Sequence, residues 1–216
     1  MTHFQQLFYN IKKTNDYLTV GEDVQYKITV DDKSCEIILQ FEESRVTDDF
    51  LHSDWFHNFA AIPWILWLDK VPVLTTYGYA CAYKSTKNIP INEFVEACKS
   101  HPNYAWKIRG WSFGSAMTQI ATRHHYIRRK MSIDDELTYG TVKVWFNPFI
   151  RSFVNKWRKT GHNFTCINDL VTWCVPFCHS NGNDRVGGDF SFKKLLNTEH
   201  NHTHYEEYNY VKFETL

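Results

Sequence analysis

The sequence lacks an excess of either charge: 24 Lys and Arg stand against 24 Asp and Glu, a formal net charge of zero. A non-specific nucleic-acid binder needs surplus Lys and Arg to displace counterions, so no nucleic-acid partner is expected. No apolar run approaches the roughly 20 residues that a membrane span requires. The N-terminus, MTHFQQLFYNIKK, has no long apolar core and no small-residue cleavage site, which argues against a secretory signal. Cys35, Cys81, Cys98, Cys166, Cys174 and Cys178 fit no familiar disulfide framework, so reduced thiols and a cytoplasmic location are expected. Cys174, Cys178 and His179 offer two thiols and one imidazole without a second ligand pair, and no metal or other cofactor is expected. Glycine is sparse, with 9 in 216 residues.

Aromatic residues, by contrast, are abundant: 16 Phe, 12 Tyr and 8 Trp, or 17% of the chain. The 43% apolar share excludes a disordered chain, and this length buries a core without disulfides. A core already supplied with Leu, Ile and Val seldom needs so many rings, so some must lie outside it.

Polar turns and apolar runs divide the chain. Residues 4–13 have the spacing of a short helix. Val24–Val30 and Cys35–Phe41 read as strands joined by the turn Asp31-Asp32-Lys33-Ser34. Segment 42–58 is loop-like. Segment 59–74, FAAIPWILWLDKVPVL, is the most hydrophobic, broken by Pro63 and Pro72. Asn88–Lys99 is helical in spacing, Tyr104–Arg109 a strand, Ser115–Arg129 a helix, Thr141–Phe146 a strand, Phe149–Trp157 a helix and Asn163–Ile167 a strand. Strands alternating with helices predict an α/β fold with a mostly parallel sheet, in a single domain over 1–216.

One motif carries chemistry. The strand at 104–109 runs into Gly110-Trp111-Ser112-Phe113-Gly114 and then a helix, which is G-x-S-x-G in strand–turn–helix context. On so sharp a turn, Cβ atoms two residues before and after the serine would collide, which calls for Gly110 and Gly114. The turn lifts the Ser112 hydroxyl above the sheet edge and aims the helix N-terminus, with the Phe113 N–H, at a developing oxyanion. A serine nucleophile needs a base, and the base an orienting carboxylate. Asp169 follows an apolar strand, where a carboxylate would project from the strand's C-terminal end. His179, His200, His202 and His204 lie downstream.

These segments together resemble the class 3, fungal-type lipases of the α/β-hydrolases, over roughly Cys35 to Tyr208. Ile108 to Ala116 is similar to the family's apolar–x–G-H-S-L-G-G-A elbow. Ile38 to Ser44 resembles the strand ending in F-R-G-[ST], and Asp54 to Phe59 the following D-W-x-x-N-[LF]. Val73–Tyr83 resembles V-H-x-G-F-x-x-A-Y, and Asn168 to Val171 the N-x-D-x-V around the catalytic aspartate. The resemblance implies an α/β-hydrolase fold and a serine carboxylic-ester hydrolase acting on an acyl lipid or small ester. It implies Ser112 as nucleophile, Asp169 as orienting acid, and Ser44 with Phe113 as oxyanion donors. His202-Thr203-His204-Tyr205 fits the family's H-[TLS]-x-Y-F, which makes His202 the first choice of base, ahead of His204 and His200. The 59–74 segment would be the lid or acyl-site segment, with Trp64 and Trp67 meeting substrate and making transient contact with a membrane surface.

Trp111 and Ser115 depart from the elbow pattern at positions that need not ionise. Glu42 and Glu43 replace Arg-Gly beside the oxyanion residue, where negative charge would oppose a developing oxyanion. That substitution leaves a rival open, a catalytically silent lipase-like binding module. An acyltransferase or peptidase on the same fold is a third reading, because a triad does not specify its acceptor. Rings at the elbow (Trp111, Phe113), in the 59–74 segment and beside the base (Tyr205, Tyr208) are expected to surround Ser112.

Overall fold

The computed structural model describes residues 11, 15–21, 24–42, 62–147, 149–166, 169–173, 177–182, 184–186 and 205. Along these, the chain forms β1 (Leu18–Val20), β2 (Val24–Asp31), β3 (Glu36–Phe41), β4 (Pro63–Leu68), β5 (Val71–Thr76), α1 (Tyr77–Ser85), α2 (Ile89–Ser100), β6 (Ala105–Trp111), α3 (Phe113–Arg129), β7 (Ile133–Tyr139), α4 (Ile150–Val154), β8 (Arg158–Cys166) and β9 (Asp184–Val186). The main sheet has the order β1-β2-β3-β6-β7-β8-β9, parallel from β3 onwards with two antiparallel strands at one edge. This is the mostly parallel α/β sheet that the alternation of strands and helices predicts. The helix expected over 4–13 lies outside the described residues except for Ile11, which is buried.

Local chemistry accounts for the elements that the pattern locates well. Asp31 closes the β2–β3 turn, its carboxylate accepting from Lys33 N at 2.9 Å and from Ser34 Oγ at 2.8 Å. In α2 the buried positions Ile91, Phe94, Val95 and Cys98 recur at helical spacing.

Three expectations are corrected. The strand expected at Thr141–Phe146 is irregular, and Trp145 alone makes isolated bridges, to Thr75 and His179. The actual strand is β7, IDDELTY, whose three consecutive acids disguise it. Asp134 accepts from Trp106 N at 2.8 Å and from Lys159 Nζ at 2.6 Å. Glu136, fully buried, accepts from Arg158 at 2.7 Å, and from Asn163 and Asn181 at 2.8 Å each. The apolar 59–74 run, read as one segment, contains an antiparallel hairpin of β4 and β5 from Pro63 to Thr76, turning at Asp69 with φ 52. Pro63 opens its strand, a position where a missing N–H is tolerated. The helix at 149–157 is also shorter, α4 ending at Val154, while β8 starts earlier at Arg158.

Helix α3 is buried around nearly its whole circumference. Met117, Ile120 and Ala121 share one core cluster with sheet residues Ile37, Leu39 and Ile108, and with the hairpin's inward Leu66, Leu68 and Val73. Its polar positions are used internally: Gln119 donates to Val142 O at 2.9 Å and accepts from Asn181 N at 2.8 Å. Among the described residues no helix is long and apolar enough to cross a membrane.

Candidate active site

Strands β3, β6, β7 and β8 end together, with Phe41 beside Gly110, Trp111 beside Tyr139, and Thr138 beside Asn163. Ser112 follows β6 directly and Asp169 follows β8, so both stand at the carboxyl edge of the sheet, where open α/β sheets bind ligands.

Ser112 has φ 54 and ψ −122, a conformation that L side chains avoid. Such a backbone costs on the order of 1–3 kcal/mol and persists only where its surroundings enforce it. Here the Ser112 N–H donates to Tyr139 O at 3.0 Å, and Ser112 O accepts from Ser115 N at 2.8 Å. The glycines enforce it sterically. A Cβ on Gly110 would overlap the Gly114 carbonyl and stand 2.5 Å from Thr118 Oγ1. A Cβ on Gly114 would stand 2.5 Å from the carbonyl oxygens of both Phe41 and Glu42. The end of β3 therefore presses on the first turn of α3. Phe113 opens α3, where a backbone N–H has no acceptor within the helix and the helix dipole is positive.

Asp169 is fully buried. Its Oδ1 accepts from Val171 N at 3.0 Å, and its Oδ2 from the Tyr205 hydroxyl, also at 3.0 Å. The same Tyr205 oxygen accepts from Cys166 N at 2.9 Å, so the phenol ties the carboxylate to the end of β8. Burial, reinforced by the adjacent Asp169 charge, pushes the Tyr205 pKa well above its ordinary value and keeps the hydroxyl a donor. Each carboxylate oxygen can accept more than one bond, which leaves capacity for an imidazole. One strand, β7, separates β6 from β8, so these two strands run ~10 Å apart across the sheet.

The other sequence-derived residues divide as follows. Ser44, Glu43, His200, His202 and His204 lie outside the described residues, as does Cys174. Cys178 is buried, and burial pushes its thiol up to about 12. Trp64 is 48% exposed, its ring edge-on to Tyr77 at 5.0 Å, and Trp67 is 62% exposed. Of the rings expected to surround Ser112, Tyr208 lies outside the described residues and the others divide between the core and the surface. Trp111 and Tyr205 are buried in a cluster with Leu137, Tyr139 and Phe164, whereas Phe113 is buried in the other cluster against Tyr79. Among the described residues, the exposed rings are Trp64, Trp67, Tyr77, Phe149, Phe153 and Phe177. Sequence reading missed the part that Tyr205 plays: it placed the ring beside the base and not on the acid. Its one signal was the presence of a tyrosine a few residues after a histidine.

The similarity of the chain to solved structures now has a site to attach to. Rhizomucor miehei triacylglyceride lipase superposes with a TM-score of 0.62 at 17% identity, over 79% of this chain and 64% of that one. Lipase II from Rhizopus niveus gives 0.63 at 21% identity, over the same shares, 79% and 64%. A triacylglycerol lipase whose catalytic centre is a serine protease triad gives 0.65 at 17% identity, over 80% and 66%. The fold is that of the fungal lipases. No family model and no curated protein matches the sequence. The chain spans about two-thirds of the length, or slightly less, of these lipases. The lipase fold makes sense of Ser112: the strained turn, the two glycines and the buried acid two strands away stand at one edge of its sheet.

Proposed function

We propose that the chain is a serine ester hydrolase acting on an acyl lipid or related carboxylic ester. The single observation that carries this reading is the backbone of Ser112, held at positive φ between two glycines that nothing larger can replace. Ser112 Oγ attacks the ester carbonyl while a histidine takes its proton and returns it to the leaving alcohol. Asp169 fixes the tautomer of that imidazole, and Tyr205 fixes Asp169. The N–H groups of Phe113 and Ser44 bind the oxyanion, and water then deacylates the enzyme through the same base. His202 is the first choice of base and His204 the second. The support is that Tyr205, within three residues of both, is bonded to Asp169. No step needs a cofactor.

Trp64 and Trp67 are the substrate-facing rings of this reading, and their exposure supports it. A cytoplasmic location is supported by free thiols at Cys35, Cys81, Cys98, Cys166 and Cys178. Glu42 and Glu43 beside the oxyanion position favour the second reading, a silent binding module on the same scaffold. Hydrolysis of a short p-nitrophenyl ester separates the two. Ser112→Ala is expected to lower kcat/KM at least about 10³-fold, and hydrolysis unchanged in that variant would refute the nucleophile.

A further inference from the structure

Helix α3 carries a cation that the proposed chemistry does not use. Arg123 is half-buried, and its guanidinium stands 5.2 Å from the ring centroid of Trp145 and 5.0 Å from that of Trp157. Both indoles are buried and fixed: their centroids lie 6.2 Å apart, edge to face, and Trp145 Nε1 donates to Asn181 Oδ1 at 2.8 Å. Indole faces attract the guanidinium charge but accept none of its in-plane N–H groups. Among the described residues, nothing accepts a hydrogen bond from Arg123 and no carboxylate pairs with it. Partial burial lowers its pKa to about 10, which leaves it charged at neutral pH. A forked donor is thus held in place without an acceptor, the arrangement that recognises phosphate or carboxylate oxygens.

A cleft of about 570 Å³ opens further along the same helix, with Tyr104, Tyr126, Lys130, Asp134, Lys156 and Lys159 in its walls. Arg123 and Tyr126 lie one turn apart on α3, Lys130 caps that helix, and Lys156 directly precedes Trp157. Lys130 and Lys156 are exposed and make no ion pair among the described residues. The acids at the cleft are already engaged. Asp134 accepts from Trp106 N at 2.8 Å and Lys159 Nζ at 2.6 Å, and Asp32 accepts from the Tyr104 hydroxyl at 2.9 Å. The chain is neutral as a whole, yet 103–168, which supplies every wall named, holds eleven Lys and Arg against three acids, Asp134, Asp135 and Glu136. The C-terminal dipole of α3 opposes an anion by roughly half a charge, and the full charge of Lys130 at its cap outweighs it.

We infer that Arg123 with Lys130, Lys156 and Lys159 forms a binding site for a small polyphosphorylated ligand. Several phosphate groups are required, because seven residues separate Arg123 from Lys130, a rise of ~10 Å along the helix, which one phosphate does not bridge. A nucleoside triphosphate and an inositol polyphosphate share this chemistry, and half-buried Tyr104 and Tyr126 offer ring faces to a base. Ala105, Ile133 and Arg158 begin β6, β7 and β8 beside this cleft, so it lies at the amino edge of the sheet, opposite the edge that carries Ser112. Binding there does not depend on the hydrolase reading.

Calorimetric titration of the full-length wild-type protein with ATP, inositol hexakisphosphate and inorganic phosphate tests the site. The expected result is saturable binding of at least one polyphosphate, about 10-fold or more tighter than inorganic phosphate, and weaker as salt rises. A preference for ATP assigns a nucleotide; an equal or greater affinity for inositol hexakisphosphate assigns a ligand read through its phosphates alone. Lys130→Gln with Lys156→Gln alters exposed side chains only and is expected to weaken binding at least about 10-fold. Arg123→Lys keeps the charge, loses the fork and is expected to weaken it by a similar factor. Lys70→Gln with Lys84→Gln removes the same charge elsewhere and leaves the affinity unchanged. Absence of binding, polyphosphates bound no tighter than inorganic phosphate, or equal losses in the two lysine pairs would overturn the inference. Polyphosphate binding by a protein that hydrolyses no ester would keep this site and refute the hydrolase alone.

Discussion

At the scale of single residues, the account depends on how Ser112 is held. A residue at positive φ stores strain, and only glycine relieves it without loss. Ser112→Gly is therefore expected to stabilise the fold by about 1 kcal/mol while ending hydrolysis, which a urea melt paired with an ester assay would show. Gly114→Ala is expected to act in the opposite direction. The Phe41 and Glu42 carbonyls that its Cβ would meet at 2.5 Å are backbone and cannot swing aside. Overpacking of this kind costs on the order of 1–3 kcal/mol, and the same melt measures it. Tyr205→Phe removes a buried hydroxyl that serves both Asp169 and Cys166 N. Leaving those groups unsatisfied costs on the order of 1–3 kcal/mol. If Tyr205 positions the acid, kcat falls more than the affinity for substrate changes; a loss confined to thermal stability would limit the phenol to a structural part.

At the scale of elements, α3 shows why part of the fold was legible in the sequence and part was not. Its location was readable from the elbow before it and its helical length. Its burial on every side was not, because Gln119, Thr122, His124 and His125 look like a solvated face. The two histidines give the element a pH signature. Burial holds both His124 and His125 down at about 4, His125 lying between Phe94 and Trp106 with ring centroids 5.6 Å from each. Each folded-state pKa lies below the unfolded value near 6.5, so the unfolded chain binds more protons in between. Stability is thus complete above about pH 6.5 and falls as the pH drops towards 4, by on the order of 3 kcal/mol per ring. Urea midpoints from pH 7.5 to 4.5 would show the slope, and His125→Phe should flatten it by about half. Strand β7 was hidden for a related reason. Its Glu136 looks like a surface acid but is the buried centre of a network with Arg158, Asn163 and Asn181. Glu136→Ala strands the Arg158 charge, and a loss of about 3–5 kcal/mol is expected.

At the scale of the whole molecule, the mostly parallel sheet, the elbow and the place of Asp169 after a strand were readable from the sequence, because local sterics and strand ends dictate them. What could not be read was where the surplus rings go. Trp111, Phe113 and Tyr205 are buried, and among the described residues the exposed rings lie on the hairpin, at Tyr77 of α1, at Phe149 and Phe153, and at Phe177 next to Cys178. That division depends on a pairing between distant segments, Leu74 with Phe146 and Trp145 with His179, which no local pattern encodes. Similarity to the fungal lipases shows the fold, and the proposed activity rests on Ser112. The most direct measurement is reaction with a fluorophosphonate probe followed by mass mapping of the adduct, since only an activated serine is labelled quickly. The account predicts rapid labelling at Ser112 that Ser112→Ala abolishes. Absence of labelling in the folded protein, or an adduct on another residue, would contradict it.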